Sequence, residues 1–173
     1  MKKAPLPANE SARVKALHDF EILDTAPEDS FDDFTRLAAF ICKTPIAVIS
    51  LVDSDRQWFK SRIGDVKDEQ TAREISFCQY TILQPGPFIV RDALEDERFK
   101  SSPLVNSDPH IRFYAGSPLV TSNGLEVGAL CVIDRVPKDL APEQISALKI
   151  LSKLIMTQLE LRKTIFRLQD STP

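Results

Sequence analysis

Residues 111–134, IRFYAGSPLVTSNGLEVGALCVID, place two apolar runs on either side of Ser122-Asn123-Gly124. Asn-Gly between such runs is a strong short-range hairpin signal, because both residues tolerate positive φ. The pattern predicts an antiparallel pair, Arg112 to Thr121 and Glu126 to Asp134. Alternation puts Phe113, Ala115, Ser117 and Leu119 on one face, and Tyr114, Gly116, Pro118 and Val120 on the other. In the second strand Val127, Ala129, Cys131 and Ile133 oppose Gly128, Leu130, Val132 and Asp134. Neither strand has a polar face. That predicts central strands covered on both sides, by core on one and by helices or a pocket on the other. The small residues Ala115, Gly116, Gly128 and Ala129 leave room above the sheet, either for a ligand or for close helix-on-sheet packing.

The rest of the chain supplies the covering elements. Residues 1–9 carry Pro5 and Pro7 and read as a loose arm. A helix is predicted from about Ser11 to Ile22, capped by Ser11 or Asn9. A second runs from Pro27 or Glu28 to Lys43, with Phe31, Phe34, Leu37, Ala38 and Ile41 as its buried stripe. Ile46 to Val52 is a short, nearly continuous aliphatic run, the pattern of a buried strand. It pairs across Asp53–Arg56 with Gln57–Ile63, whose Gln57, Phe59, Ser61 and Ile63 share a face. Polar residues 64–71 read as a solvated loop or lid. Ser76 caps a short helix over Phe77–Leu83, Phe88–Val90 is a short strand, and Asp92–Lys100 suits one turn of helix. Residues 101–110 show little periodicity. Pro142 opens a last helix reaching about Leu168.

Several function classes are excluded early. The net charge is −3, from 22 basic and 25 acidic residues, with no basic block, so neither nucleic acid nor an anionic membrane is an expected partner. No apolar run is long enough to span a membrane, and MKKAPLPANE lacks the apolar core of a secretory signal, so a cytoplasmic location is expected. Three scattered cysteines, Cys42, Cys78 and Cys131, do not make a disulfide framework, and buried free thiols are the default for such apolar contexts. There is no phosphate loop, paired-histidine motif or nucleophile elbow, and the acidic run Asp92, Glu95, Asp96, Glu97 lacks calcium-loop spacing. No metal site is expected and no cofactor is required; whether one binds is unknown from the sequence.

The strings FYAGSPLV and GLEVGALCVID, preceded by TPIAVISLVDSDRQWFKSRIG, REISFCQYTI and FIVRDALEDERFKSSPLV, resemble GAF domains, in that family's order over about residues 28–136. The variety resembled often precedes histidine kinase or cyclic di-GMP enzymes. The resemblance implies an α/β (α+β), PAS-related fold: a central antiparallel sheet of five to six strands with helices on both faces. It divides the chain into an arm and helix (1–27), a GAF domain (28–141) and a C-terminal helix (142–173). It also implies a pocket between the sheet, the Phe77 helix and the crossover 92–110. Candidate ligand-binding residues there are Phe77, Cys78, Phe99, His110, Arg112, Phe113 and Tyr114. Each aromatic serves equally well as filled core, and Arg112 as a surface ion pair. Tetrapyrrole-binding GAF domains use cysteine followed by histidine, whereas Cys78 precedes Gln79; the cyclic-nucleotide signature is not found either. Free methionine sulfoxide reductases use cysteines on the same scaffold. Cys78, in the first turn of a helix, is the candidate nucleophile, with Cys131 in reach if both face the pocket. The expectation is a non-catalytic sensory module with no catalytic residue, the reductase and a ligand-free dimerisation module being the alternatives.

The last helix carries two apolar rows. Leu148, Ile155, Leu159 and Phe166 fall on one line and are assigned to the sheet. Ala147, Leu151, Leu154, Gln158, Leu161, Ile165 and Leu168 recur at 4 and 3, a heptad seam. A surface helix of an isolated domain needs one apolar stripe. The second row is therefore expected to form a homodimer through Leu151, Leu154, Gln158, Leu161, Ile165 and Leu168, with Gln158 setting register. The competing assignment packs that row against the N-terminal helix through Leu17 and Phe20. The expected partners are thus a second copy, a small-molecule ligand, and a histidine kinase or diguanylate cyclase output module.

Overall fold

The computed structural model describes residues 1–171, so the last two residues of the 142–173 segment lie outside the described residues. Twelve elements follow one another, eleven of them labelled here: α1 (Glu10–His18), α2 (Asp29–Cys42), β1 (Ile46–Val52), β2 (Arg56–Ile63), β3 (Gln70–Ala72), α3 (Cys78–Thr81), β4 (Phe88–Val90), α4 (Pro103–Asn106), β5 (Phe113–Val120), β6 (Glu126–Asp134) and α5 (Pro142–Asp170). The strands form one antiparallel six-stranded sheet in the order β3-β2-β1-β6-β5-β4. β6 and β1 lie at its centre, which accounts for their lack of a polar face.

Alternation along the central strands builds two cores. Phe113, Ala115, Leu119, Leu130 and Val132 point into a core closed by α1, α2 and α5. Tyr114, Ala129 and Cys131 point the other way, into a core closed by α3 and the crossover between β4 and β5. Val127 departs from the expected alternation. The ladder shifts between Leu119 and Val120, leaving Val127 unpaired and turned into the helix-side core. The turn holds as expected, with Gly124 alone at positive φ (82°) and Thr121 accepting the Gly124 N–H at 3.0 Å. The small residues serve packing rather than a ligand. A Cβ at Gly128 would collide with the Ser50 carbonyl, and one at Gly116 with the Tyr114 hydroxyl.

Some expectations are corrected. The N-terminal arm is strapped down: the Ala4 N–H donates to Gln79 Oε1 at 2.9 Å, Lys2 N–H to the Arg98 carbonyl at 3.2 Å, and the Tyr80 hydroxyl to the Lys2 carbonyl at 2.7 Å. α1 ends at His18, short of Ile22. Residues 92–100 form turns rather than a helix, pinned by Asp96 on Arg98 (2.6 Å) and by Arg98 lying 4.9 Å over the Phe88 ring. The polar stretch after β2 ends in an edge strand, β3. The crossover contains α4, whose N-cap Ser102 accepts the Leu104 N–H.

Buried ion pairs bind the N-terminal elements to the rest. Arg13 is fully buried, donating to the Val52 carbonyl at 2.6 Å and to Glu10 at 2.8 Å; Arg73 meets the same Glu10. A second cluster centres on Glu28, which joins Lys60 of β2 (2.5 Å) to Arg162 of α5 (3.0 Å).

α5 packs Leu148, Leu151, Ile155, Met156 and Leu159 into the helix-side core. Two assignments on it are corrected. Leu151 is buried against its own sheet and cannot reach a partner helix, and Phe166, expected on the sheet-facing row, is 43% exposed because the helix has run past the sheet. Gln158 is half buried and donates to Ser30 Oγ at 3.3 Å, so its polar group is used within its own chain.

Candidate functional site

A cavity of about 180 Å³ opens on the face of the sheet opposite α5. Its floor is Ile46 and Val48 of β1, Gln57 and Phe59 of β2, Tyr114 of β5, and Cys131 and Ile133 of β6. Phe77 and Cys78 make one wall; Leu104, Asp108, Pro109 and Ile111 of the crossover make another. Residues 65–68 form the rim. That rim loop leaves β2 at Gly64, where φ is +91° and a Cβ would strike the Pro45 carbonyl, so glycine is required there. Lys67 faces Asp108 at 3.6 Å and Asp65 faces Arg135 at 3.6 Å, two exposed pairs across the mouth. Such pairs are worth about 0–1 kcal/mol each, so they latch the loop only weakly.

Polar groups of the floor, of Cys78 in the wall and of Thr81 behind it form one connected set. The Tyr114 hydroxyl lies 2.7 Å from Thr81 Oγ1, 3.3 Å from Cys78 Sγ and 3.2 Å from Cys131 Sγ. The two sulfurs are 3.2 Å apart. Beside them Ser50 donates to Gln57 Oε1 at 3.0 Å, and Gln57 Nε2 donates to Thr71 Oγ1 at 2.7 Å. The hydrogen bond from Cys131 draws the Cys78 thiol below its ordinary value, against burial. Burial pushes Cys131 and Tyr114 well above theirs.

Of the seven residues expected at the site, Phe77, Cys78 and Tyr114 line the cavity. The other four do not. Phe99 is fully buried behind Phe77, their rings stacked at 4.1 Å and 6°. Phe113 faces the helix-side core. His110 is exposed, and Arg112 spends its guanidinium on the carbonyls of Val105 and Ile111, bracing the crossover. Gln57, Phe59 and Thr71 were not anticipated at the site. The alternation of β2, which puts Gln57 and Phe59 on one face, was the available signal.

The cavity is mostly apolar, and its charged mouth is slightly more acidic than basic: Asp65, Asp68 and Asp108 against Lys67 and the Arg135 that pairs with Asp65. Its volume is below the roughly 300–1,000 Å³ of drug-sized sites. A cavity of about 150 Å³ holds one benzene ring. The site thus suits a small uncharged molecule of about one ring. Among the described residues no group of three or more His, Cys, Asp or Glu is placed to hold a metal ion, and no helix is long and apolar enough to cross a membrane.

No protein-family model matches the chain. A cyclic di-GMP phosphodiesterase of Pseudomonas aeruginosa is 41% identical over 167 residues, which are 95% of this chain and 28% of that protein. The chain therefore spans little more than a quarter of that relative's length. The GAF domain of an Acinetobacter phosphoenolpyruvate-protein phosphotransferase matches with a TM-score of 0.66 at 16% identity, over 90% of this chain and 98% of that one. The free methionine-R-sulfoxide reductase of Neisseria meningitidis, solved with its substrate, matches with a TM-score of 0.65 at 15% identity, over 95% and 99%. The chain has the GAF fold, as the resemblance implied. The expectation of a non-catalytic protein is corrected. The relative that matches nearly the whole chain is named as an enzyme, and proteins of this fold include reductases.

Proposed function

We propose that the chain is the ligand-sensing part of a cyclic di-GMP phosphodiesterase, binding a small uncharged molecule in the cavity and passing its state to the catalytic part through a dimer of α5. The cavity carries this reading: an apolar, partly roofed site with one cluster of directed polar groups is what a small-molecule sensor needs. The 41% identity running through 95% of the chain supports the assignment of the output. The cyclic dinucleotide itself does not suit the site. It carries two phosphates and two bases, whereas the cavity is of one-ring size and its floor has no cation.

The dimer rests on α5. Ile150, Leu154, Leu161 and Ile165 are 55, 47, 54 and 54% exposed, and spacings of 4, 7 and 4 keep them along one side of the helix. Leu17 and Phe20 are buried in the helix-side core, so the competing assignment to α1 leaves this row uncovered. Native mass spectrometry of freshly purified protein, with thermal melts against single-ring compounds, tests the sensing reading. A co-purified mass or a raised melting temperature is expected. A protein that carries nothing and shifts with none of them speaks for a dimerisation module instead.

A second reading is a thiol-dependent reductase acting on free methionine sulfoxide. The approach of Cys78 to Cys131 at the cavity floor favours it. Turnover of the free sulfoxide with a thiol reductant separates it from sensing.

A further inference from the structure

The sulfur pair at the cavity floor has a chemistry of its own. Cys78 belongs to the short helix α3 and Cys131 to the centre of β6, 53 residues later, yet their Sγ atoms stand 3.2 Å apart. A disulfide needs about 2 Å, so roughly 1 Å of approach closes it. Cys42 is the remaining cysteine. It lies in the helix-side core, across the sheet, where burial pushes its thiol up to about 11. Cys78 and Cys131 both line the cavity, so a small oxidant entering at the mouth meets them and not Cys42.

The pair is also unequal. The hydrogen bond from Cys131 favours the Cys78 thiolate, while burial holds the Cys131 and Tyr114 protons in place. One sulfur is set to attack and the other to resolve.

We propose that Cys78 and Cys131 are a redox-active dithiol, oxidised to a disulfide by small hydroperoxides that enter the cavity. The Cys78 thiolate attacks the terminal oxygen of ROOH. The S–O bond forms, the O–O bond breaks, and the alkoxide takes the proton released by Cys78 to leave as ROH. The resulting sulfenic acid is attacked by the Cys131 sulfur. The S–S bond forms, the S–O bond breaks, and hydroxide leaves with the Cys131 proton as water. Two electrons pass from the sulfurs to the peroxide. The product ties α3 to β6 across the cavity floor. This chemistry requires neither the ligand nor the output proposed above.

The test is to treat the reduced chain with hydrogen peroxide, denature it, alkylate it and map the peptides. Alkylatable thiols are expected to fall from three to one, with a Cys78–Cys131 link and Cys42 alkylated. Dithiothreitol should restore all three. Cys131→Ser should stop at a sulfenic acid on Cys78 that dimedone traps. Three thiols still alkylated in the wild type, or a link through Cys42, overturns the proposal; the wild-type map decides even where the variant fails to fold. A protein that keeps three thiols but carries a ligand in native mass spectrometry overturns the dithiol alone. One that forms the link and carries no ligand overturns sensing alone.

Discussion

Glu28 is the joint between the sheet and the C-terminal helix, and neutralising it tests whether that joint holds α5 in place. One of its oxygens, Oε2, meets Lys60 Nζ at 2.5 Å and Arg162 Nε at 3.0 Å. The Lys60 side chain is fully buried and that of Arg162 is 9% exposed, while Glu28 itself is 35% exposed. Removing one partner of a fully buried pair costs about 3–5 kcal/mol. Here solvent at Glu28 screens part of that. Lys60 also keeps Thr25 Oγ1 at 2.9 Å and the Ala26 carbonyl at 2.6 Å. Glu28→Gln should therefore cost about 2 kcal/mol, below the buried-pair range. Lys60→Met removes the desolvated cation, so in that background the loss from Glu28→Gln should fall by half or more. Urea denaturation measures this, as a lower midpoint at unchanged slope. The pH dependence has a definite sign. Burial raises the Glu28 pKa, but the hydrogen bond and charge of Lys60, with Arg162, leave it below the ordinary 4.5. The contribution is then complete above pH 4.5 and lost as pH falls through the lower, folded-state pKa, so wild type and variant should converge in acid. Equal midpoints at pH 7, or the same loss with and without Lys60, would refute the joint.

Phe99→Ala should cost about 3–5 kcal/mol without altering ligand affinity, since the ring is core and stands behind the cavity wall; calorimetry with and without ligand checks both halves. Leu154→Asp with Leu161→Asp should give a folded monomer in sedimentation, because both side chains are about half exposed and the buried row survives. A wild type that sediments as a monomer at tens of micromolar defeats the dimer, and global unfolding of the double variant shows that the row packs within its own chain. Glu10→Gln should destabilise the domain at neutral pH. Burial raises the Glu10 pKa but Arg73 and Arg13 bring it down to about 2, so its contribution is complete above pH 4.5 and disappears as pH falls through about 2. Acid denaturation curves of variant and wild type should converge there.

What the sequence makes legible follows from the range of the interactions. The hairpin β5–β6 is local: an apolar alternation, a turn needing one positive φ, and a two-sided burial that only a central strand tolerates. The buried run of β1 and the proline at the first position of α5 are equally local signals. The N-terminal arm is not. Its two prolines read as a loose arm, while its hydrogen bonds reach Gln79 and Arg98 and leave no mark on the residues themselves. β3 is a three-residue polar edge strand, held by backbone bonds to β2, and has no apolar pattern to find. For the site, alternation carries more than composition does. Phe113 and Tyr114 are neighbours in one strand and must face opposite cores, so one of the two cannot line the cavity. Composition treats both as candidates. Phe99 is lost for a different reason: an aromatic that supports a cavity wall and one that forms it are chemically identical.

The same alternation would couple a ligand in the cavity, as proposed, to the helix on the other face. On β5, Tyr114 faces the cavity between Phe113 and Ala115, which face α5's core; on β6, Cys131 does so between Leu130 and Val132. A shift of either strand toward the cavity side withdraws those neighbours from Leu148, Ile155 and Leu159 by the same amount, with no intervening layer to absorb it. Packed interiors do not deform continuously, so the helix must re-seat rather than stretch. Ser152 adds a polar constraint, its hydroxyl donating to the Leu148 carbonyl at 2.9 Å and lying 3.4 Å from the Ser117 carbonyl of β5. Farther along, Arg162 is fixed to Glu28 and to the Glu21 carbonyl at 3.1 Å, so the helix is pinned again beyond the residues that pack on the sheet. A ligand shifts this arrangement only as far as its affinities for the two seatings differ, about 1.4 kcal/mol for each tenfold. If the pin at Glu28 favours one seating, Glu28→Gln should shift the affinity for a single-ring compound by the factor with which the pin biases that seating; equal titration midpoints for wild type and variant would refute the coupling.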